Sequence, residues 1–200
     1  IRMENTADIL DGGGGTTDNL VVDKVAVLGG ILVDLSSTTD QITTFNGSTN
    51  AAIQKGFESV DLNLYAGNHG ADITANKNGG TIIATANDDV ISGGAGADLI
   101  DAGKGDDTID ITDTTDVADT ITTNIGDGTV ATTGIASKGN NVNADVLVFA
   151  NGIDVITGFD SGTGATKDHL QTSEGANGGA AFTSLHGGTY NAVAAATGYV

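Results

Sequence analysis

The chain has no cysteine, no proline and no tryptophan, and only five Phe and three Tyr among 200 residues. Without cysteine there can be no disulfide staple, no thiolate zinc site and no cysteine nucleophile. With so few aromatics a thick core of large side chains is excluded, and a thin core of Ile, Leu and Val suits the composition better. Basic residues are scarce too: seven Lys and Arg stand against 26 Asp and Glu, a net charge of −19. Nucleic-acid binding needs clustered cations, so that class is excluded. No apolar run approaches the ~18 residues of a membrane span, and no signal-peptide pattern opens the chain. The first residue is Ile1 rather than Met, as expected of a piece of something longer. H-E-x-x-H, G-x-S-x-G and Walker motifs are all missing. His69, His169 and His186 are far apart in sequence and read as loop histidines.

What the chain has in abundance is glycine, 31 residues of it, and a period of nine. Residues 84–110 divide into ATANDDVIS, GGAGADLID and AGKGDDTID, with Asp89, Asp98 and Asp107 at each sixth place and Ile91, Ile100 and Ile109 at each eighth. The middle block matches G-G-x-G-x-D-x-U-x in full, U being a large apolar residue. Gly93, Gly94 and Gly96 in that block, with Gly103 and Gly105 in the next, allow a tight turn with inward carbonyls. A carboxylate at the end of the turn completes an oxygen shell of the kind calcium takes. The x-U-x half is a short strand whose central side chain faces inward. One block cannot bury that side chain alone, whereas stacked blocks can. Two nonapeptides make one coil, so turns stack every eighteen residues. Asp89 and Asp107 therefore share one edge, and Asp98 and Asp116 the other. Stepping by nine extends the apolar ladder back through Ile82, Ile73 and Leu64 and forward to Ala118. The coil is expected to begin near Leu64, with Asn-bearing turns at 66–71 and 75–80 that coil without metal.

These nonapeptides resemble those of RTX (repeats-in-toxin) proteins, whose repeats form a calcium-loaded parallel β-roll. Gly56-Phe57-Glu58-Ser59-Val60-Asp61-Leu62 is similar to the family's lead-in segment. Asp145–Phe149, Asp154–Asp160 and Asp168-His169-Leu170 are similar to the segment that follows such repeats. Leu147 and Gly158 depart from it, standing where the family has an aromatic residue and an Asp. The resemblance implies Ca2+ as cofactor, secretion by a type I route and folding outside the cell. A solvated, disordered acidic stretch is the competing reading of ten Asp and one Lys between Ala84 and Asp119. Disorder gives no reason for Ile at fixed places.

The fold expected is all-β, a parallel β-roll (β-solenoid) with nonapeptide calcium-binding turns and flanking β-rich segments. Three regions follow: residues 1–60 with degenerate repeats, the roll at 61–119, and a β-rich cap at 120–200. In the first, Asp8–Leu20 reads either as a worn nonapeptide pair, with Asp18 as a ligand, or as a glycine linker. Val21–Val27, Ile31–Leu35 and Gln41–Phe45 read as strands, and Thr49–Lys55 as one or two helical turns. Asn46-Gly47-Ser48 is formally a glycosylation sequon. In the cap, Phe149, Phe159 and Phe182 are expected to plug the open end, and Thr189–Thr197 to form a short helix. The expected metal ligands are thus Asp18, Asp89, Gly93, Gly94, Gly96, Asp98, Gly103, Gly105, Asp107 and Asp116. The function expected is a non-enzymatic calcium-binding module of a secreted bacterial surface protein, foremost a surface-layer (S-layer) protein. Its partners would be calcium ions, further copies of itself in an array, and a cell-surface polysaccharide. An adhesin, or an appendage to a secreted protease, lipase or cytolysin, stands as the alternative.

Overall fold

The computed structural model describes residues 1–112, 117–123, 147–148, 155–160 and 165–172. Among these there is no helix; the chain is all-β and its strands are mostly parallel. Two sheets face each other across a thin core, and the chain alternates between them. The first has seven strands in the order Arg2–Met3, Asn19–Val22, Ser59–Asp61, Thr81–Ile83, Leu99–Asp101, Thr120–Thr123 and His169–Thr172. Every neighbouring pair in it is parallel. The second sheet has parallel strands Ile31–Asp34, Ala71–Thr74, Val90–Ser92, Thr108–Asp110 and Val155–Thr157 at its centre. Antiparallel strands close it at either side: Ile42–Phe45 with Ser48–Thr49 at one, Leu147–Val148 at the other. Neither sheet closes on itself; this is a roll.

Three-residue strands hold because each presents one inward aliphatic side chain to aliphatic neighbours above and below. Leu20, Val60, Ile82, Ile100 and Ile121 stack in register along the first sheet. Val33, Ile73, Ile91, Ile109 and Ile156 do the same along the second. None of the ten is more than 1% exposed. Outward positions alternate with them, as period two requires; Leu99 is 43% and Val90 54% exposed. At the corners Ala75, Ala84 and Ala102 are buried, and Leu35, Leu62 and Ile111 hold the equivalent places in other coils.

Two ends of the expected ladder fall elsewhere. Leu64 is 44% exposed, and the inward place below Ile82 belongs to Val60, which lies 22 residues earlier because the intervening turn is longer. At the other end Ile121, not Ala118, continues from Ile100, since a larger apolar side chain three residues on fills the core slot. The helical turns expected at 49–55 are absent as well. Asn46 and Gly47 both take positive φ, 54° and 71°, the geometry of a two-residue hairpin turn. That turn carries the chain into strands Ser48–Thr49 and Gln54–Lys55.

The N-terminal segment is plugged by polar and aromatic side chains. Phe45 and Tyr65 meet edge to face at 5.7 Å, and the Tyr65 hydroxyl donates to Gly29 O while accepting from Asn46 N–H. Burial raises the Tyr65 pKa. Buried Gln41 donates to Leu35 O and Phe57 O and accepts from Phe57 N–H, supplying bonds that a regular coil would give. Of the aromatics expected to plug the far end, Phe159 is buried; Phe149 and Phe182, like the helix at 189–197, lie outside the described residues.

Because the inward ladder carries the core, Ile100→Ala should destabilise the calcium-saturated protein by about 2–5 kcal/mol. Its outward neighbour Leu99→Ala should change stability by under about 1 kcal/mol. Chemical denaturation of the two variants checks this.

Candidate metal centre

Between the sheets, turns stack in two columns. One column sets the turn at 102–107 on that at 84–89; the other sets 93–98 on 75–80. Backbone lies against backbone in both. A Cβ added to Gly96 would stand 1.9 Å from Gly79 N, and one on Gly103 would stand 2.0 Å from Thr85 O. Gly94, Gly103 and Gly105 also take positive φ, at 81°, 87° and 129°, a region that L side chains rarely adopt. Gly93 serves differently: a Cβ there would sit 3.2 Å from Asp98 Oδ2. Its glycine keeps open the space between the start of the turn and the carboxylate that ends it.

The sixth-place carboxylates are buried, with Asp89, Asp98 and Asp107 at most 3% exposed. Each reaches back one coil and accepts the N–H of the residue at the equivalent place. Asp107 Oδ1 takes Asp89 N–H at 2.8 Å, and Asp89 Oδ1 takes Ala71 N–H at 2.5 Å. On the other edge Asp98 Oδ1 takes Gly80 N–H at 2.9 Å. Asp89 and Asp107 thus share an edge at the eighteen-residue spacing. Below Asp98 the spacing is 21: its own N–H donates to Asp119 Oδ1 at 2.8 Å. Asp119, fully buried, holds the place given by the period to Asp116, which lies outside the described residues. The step lengthens because three residues are inserted before Thr120, a slip that a strict count of nine passes over. The signal was there in Asp119-Thr120-Ile121, an acid-x-aliphatic triplet like Asp98-Leu99-Ile100.

The turn at 84–89 lacks glycine, and a hydroxyl takes up the slack. Thr85 stands where the other two turns have Gly94 and Gly103, and its Oγ1 donates to Asp89 at 2.9–3.0 Å. Thr85 N–H adds a bond to Asp89 Oδ2 at 2.9 Å. Burial still dominates and pushes the Asp89 pKa up to about 6, against those hydrogen bonds. A carboxylate whose folded pKa is raised binds its proton better in the folded state. The metal-free turn therefore loses stability as pH rises from the ordinary carboxylate range through about 6. A divalent cation reverses that preference by favouring the ionised form.

Acids at the ends of strands play a separate part. Asp61, Asp101 and Asp110 accept the N–H two residues on, from Asn63, Gly103 and Thr112, and so shape the entry of each turn. At the N-terminal end Asp18 closes the turn of Gly12–Gly15: a Cβ on Gly15 would meet its Oδ2 at 2.4 Å. Asp18 N–H donates to Glu58 of the next coil at 2.9 Å, and strand Asn19–Val22 follows directly. That stretch is a turn of the roll and not a linker.

These residues fit calcium. The donors are hard oxygens, buried carboxylates stand one coil apart, and glycine turns bring carbonyls such as Thr85 O and Ala97 O against the next coil. Among the described residues no three acidic or histidine side chains gather into a cluster of their own, so backbone carbonyls would have to complete each shell. Asp98 with Gly93, Gly94 and Gly96, and Asp107 with Gly103 and Gly105, are the residues that would hold the ions. Bound calcium would supply positive charge to edges where Asp outnumbers the lone lysines Lys77 and Lys104.

Asp107→Ala should move the midpoint of a calcium titration to higher concentration by about tenfold or more, losing a charged ligand worth at least ~1.4 kcal/mol. Asp72→Ala, on the exposed face of the second sheet, should leave it nearly unchanged. Equal shifts would mean that the acids act only through diffuse charge.

Residues 78–109 match the RTX calcium-binding nonapeptide repeat in four copies, a span that includes the turns ending at Asp89, Asp98 and Asp107. No curated protein matches the chain. Repeats of this kind bind Ca2+. The match and the parallel roll agree: residues 78–109 carry RTX calcium-binding nonapeptide repeats.

Proposed function

We propose that this chain is a structural module of a secreted bacterial surface protein, folded by calcium outside the cell and used in an S-layer. The observation that carries the reading is the roll itself, with buried carboxylates stacked coil on coil in a chain of net charge −19 and no cysteine. Such a chain is expanded by its own charge where calcium is scarce. Where calcium is plentiful, binding free energy becomes folding free energy. The contrast suits export of an unfolded chain from a calcium-poor cytosol, and calcium replaces the disulfides that many exported proteins use. Affinity is expected in the extracellular range, roughly 10⁻⁴ to 10⁻³ M.

Within that reading the module is not an enzyme. Buried acids are engaged in coil-to-coil bonds, and no catalytic motif accompanies them. An array protein, with copies of itself as partners and a cell-surface polysaccharide beneath, accords with the low Lys and the high Gly, Thr and Asn content.

Circular dichroism should show little β signal in chelator and a cooperative gain when calcium is restored. A β signal indifferent to calcium would contradict metal-coupled folding. Electron microscopy of the native cell surface addresses the array: a regular lattice is expected, and its absence would leave calcium folding intact while removing the S-layer role.

A further inference from the structure

At the far end of the roll one carboxylate outside the matched repeats ties together three separate parts of the chain. Asp168 is 5% exposed, and both of its oxygens accept backbone N–H groups. Oδ1 takes Asp119 N–H at 2.9 Å and Oδ2 takes Asp160 N–H at 2.6 Å. Two backbone bonds run alongside, from His169 N–H to Asp119 O at 2.7 Å and from Asp168 N–H to Asp160 O at 3.0 Å. Asp119 leads into the first-sheet strand Thr120–Thr123, and Asp160 follows the second-sheet strand Val155–Thr157. The Asp160 carboxylate pairs with Lys167. A single side chain therefore bonds to backbone just before a strand of one sheet and just after a strand of the other.

We propose that Asp168 is a metal-independent clasp, a positioning residue that holds the two sheets in register beyond the point where the period of nine ends. Asp98 and Asp119 are 21 residues apart, and Asp119 and Asp168 are 49 apart. Across gaps of that size neither a repeat nor a short turn fixes which residue faces which. Each of these short strands has a single inward Ile, Ile121 or Ile156, to set its register, and the carboxylate adds a second constraint. A buried carboxylate with two charge-assisted acceptors fixes both partners at once.

Both Asp168 oxygens accept backbone N–H groups, as both oxygens of Asp89 do in the turn that lacks glycine. In Asp98 the second oxygen lies beside its own glycine turn, near Gly93. The clasp therefore resembles the glycine-free joint rather than the glycine turns.

Hydrogen exchange on the full chain in saturating calcium tests the proposal. In Asp168→Ala the amides of Asp119 and Asp160 should exchange about 10- to 100-fold faster, the loss of a hydrogen bond to a charged acceptor at each. Asp168→Asn keeps one acceptor and should restore protection to one of the two amides, which also serves if the alanine variant fails to fold. The calcium midpoint read at residues 84–110 should stay at the wild-type value in Asp168→Asn. Unchanged exchange at both amides would overturn the clasp. So would a shift in midpoint as large as that of Asp107→Ala, which would make Asp168 a metal ligand, or an even loss of protection across the roll.

Discussion

A carboxylate taken out of water must be compensated, and among the described residues five are buried: Asp89, Asp98, Asp107, Asp119 and Asp168. Leaving such a charge unmatched costs several kcal/mol. The structure meets the demand in two ways. Each carboxylate that ends a turn accepts an N–H from the coil before it, which makes coil stacking a condition of burial. The charge left over is met by a hydroxyl and an amide at Asp89 and by a second backbone N–H at Asp168, and calcium would meet it in the glycine turns. The roll is thus an arrangement in which the acid that would oppose compaction becomes the joint between coils.

The apolar core and the carboxylate joints depend on each other. A single inward Ile per strand gains its full burial only when the coils above and below are present. Those coils are brought to strand spacing by close contacts such as Gly96 on Gly79, which any side chain would block. β-Branched residues within the strands follow from the same narrow cross-section. Aromatics collect where the repeat stops, with Phe45, Phe57 and Tyr65 buried in the N-terminal segment.

Much of this was legible in the sequence. Ile91, Ile100 and Ile109 at fixed places gave the inward ladder, and the sixth-place acids gave the shared edge of Asp89 and Asp107. The departures within the ladder are places where the period slips. Val60 replaces Leu64, and Asp119 with Ile121 replaces Asp116 with Ala118, because coil length is set by turns that can lengthen while strand register is set by backbone pairing. The hairpin at Asn46-Gly47 was legible too, from a dipeptide suited to two positive φ angles. Thr85 could not be read in advance: only in three dimensions does its hydroxyl lie against Asp89. Asp168 was seen as part of a family-like triplet, yet its partner Asp119 is 49 residues away, and no spacing rule reaches that far.

The account rests on calcium entering the glycine turns beside buried carboxylates, and a calcium-soaked crystal structure with anomalous scattering tests that most directly. Ions are predicted within about 2.3–2.6 Å of an oxygen of Asp98 and of Asp107, with backbone carbonyls of the glycine turns completing each shell and none at Asp168. An ordered roll in saturating calcium with no ion at either aspartate would contradict it.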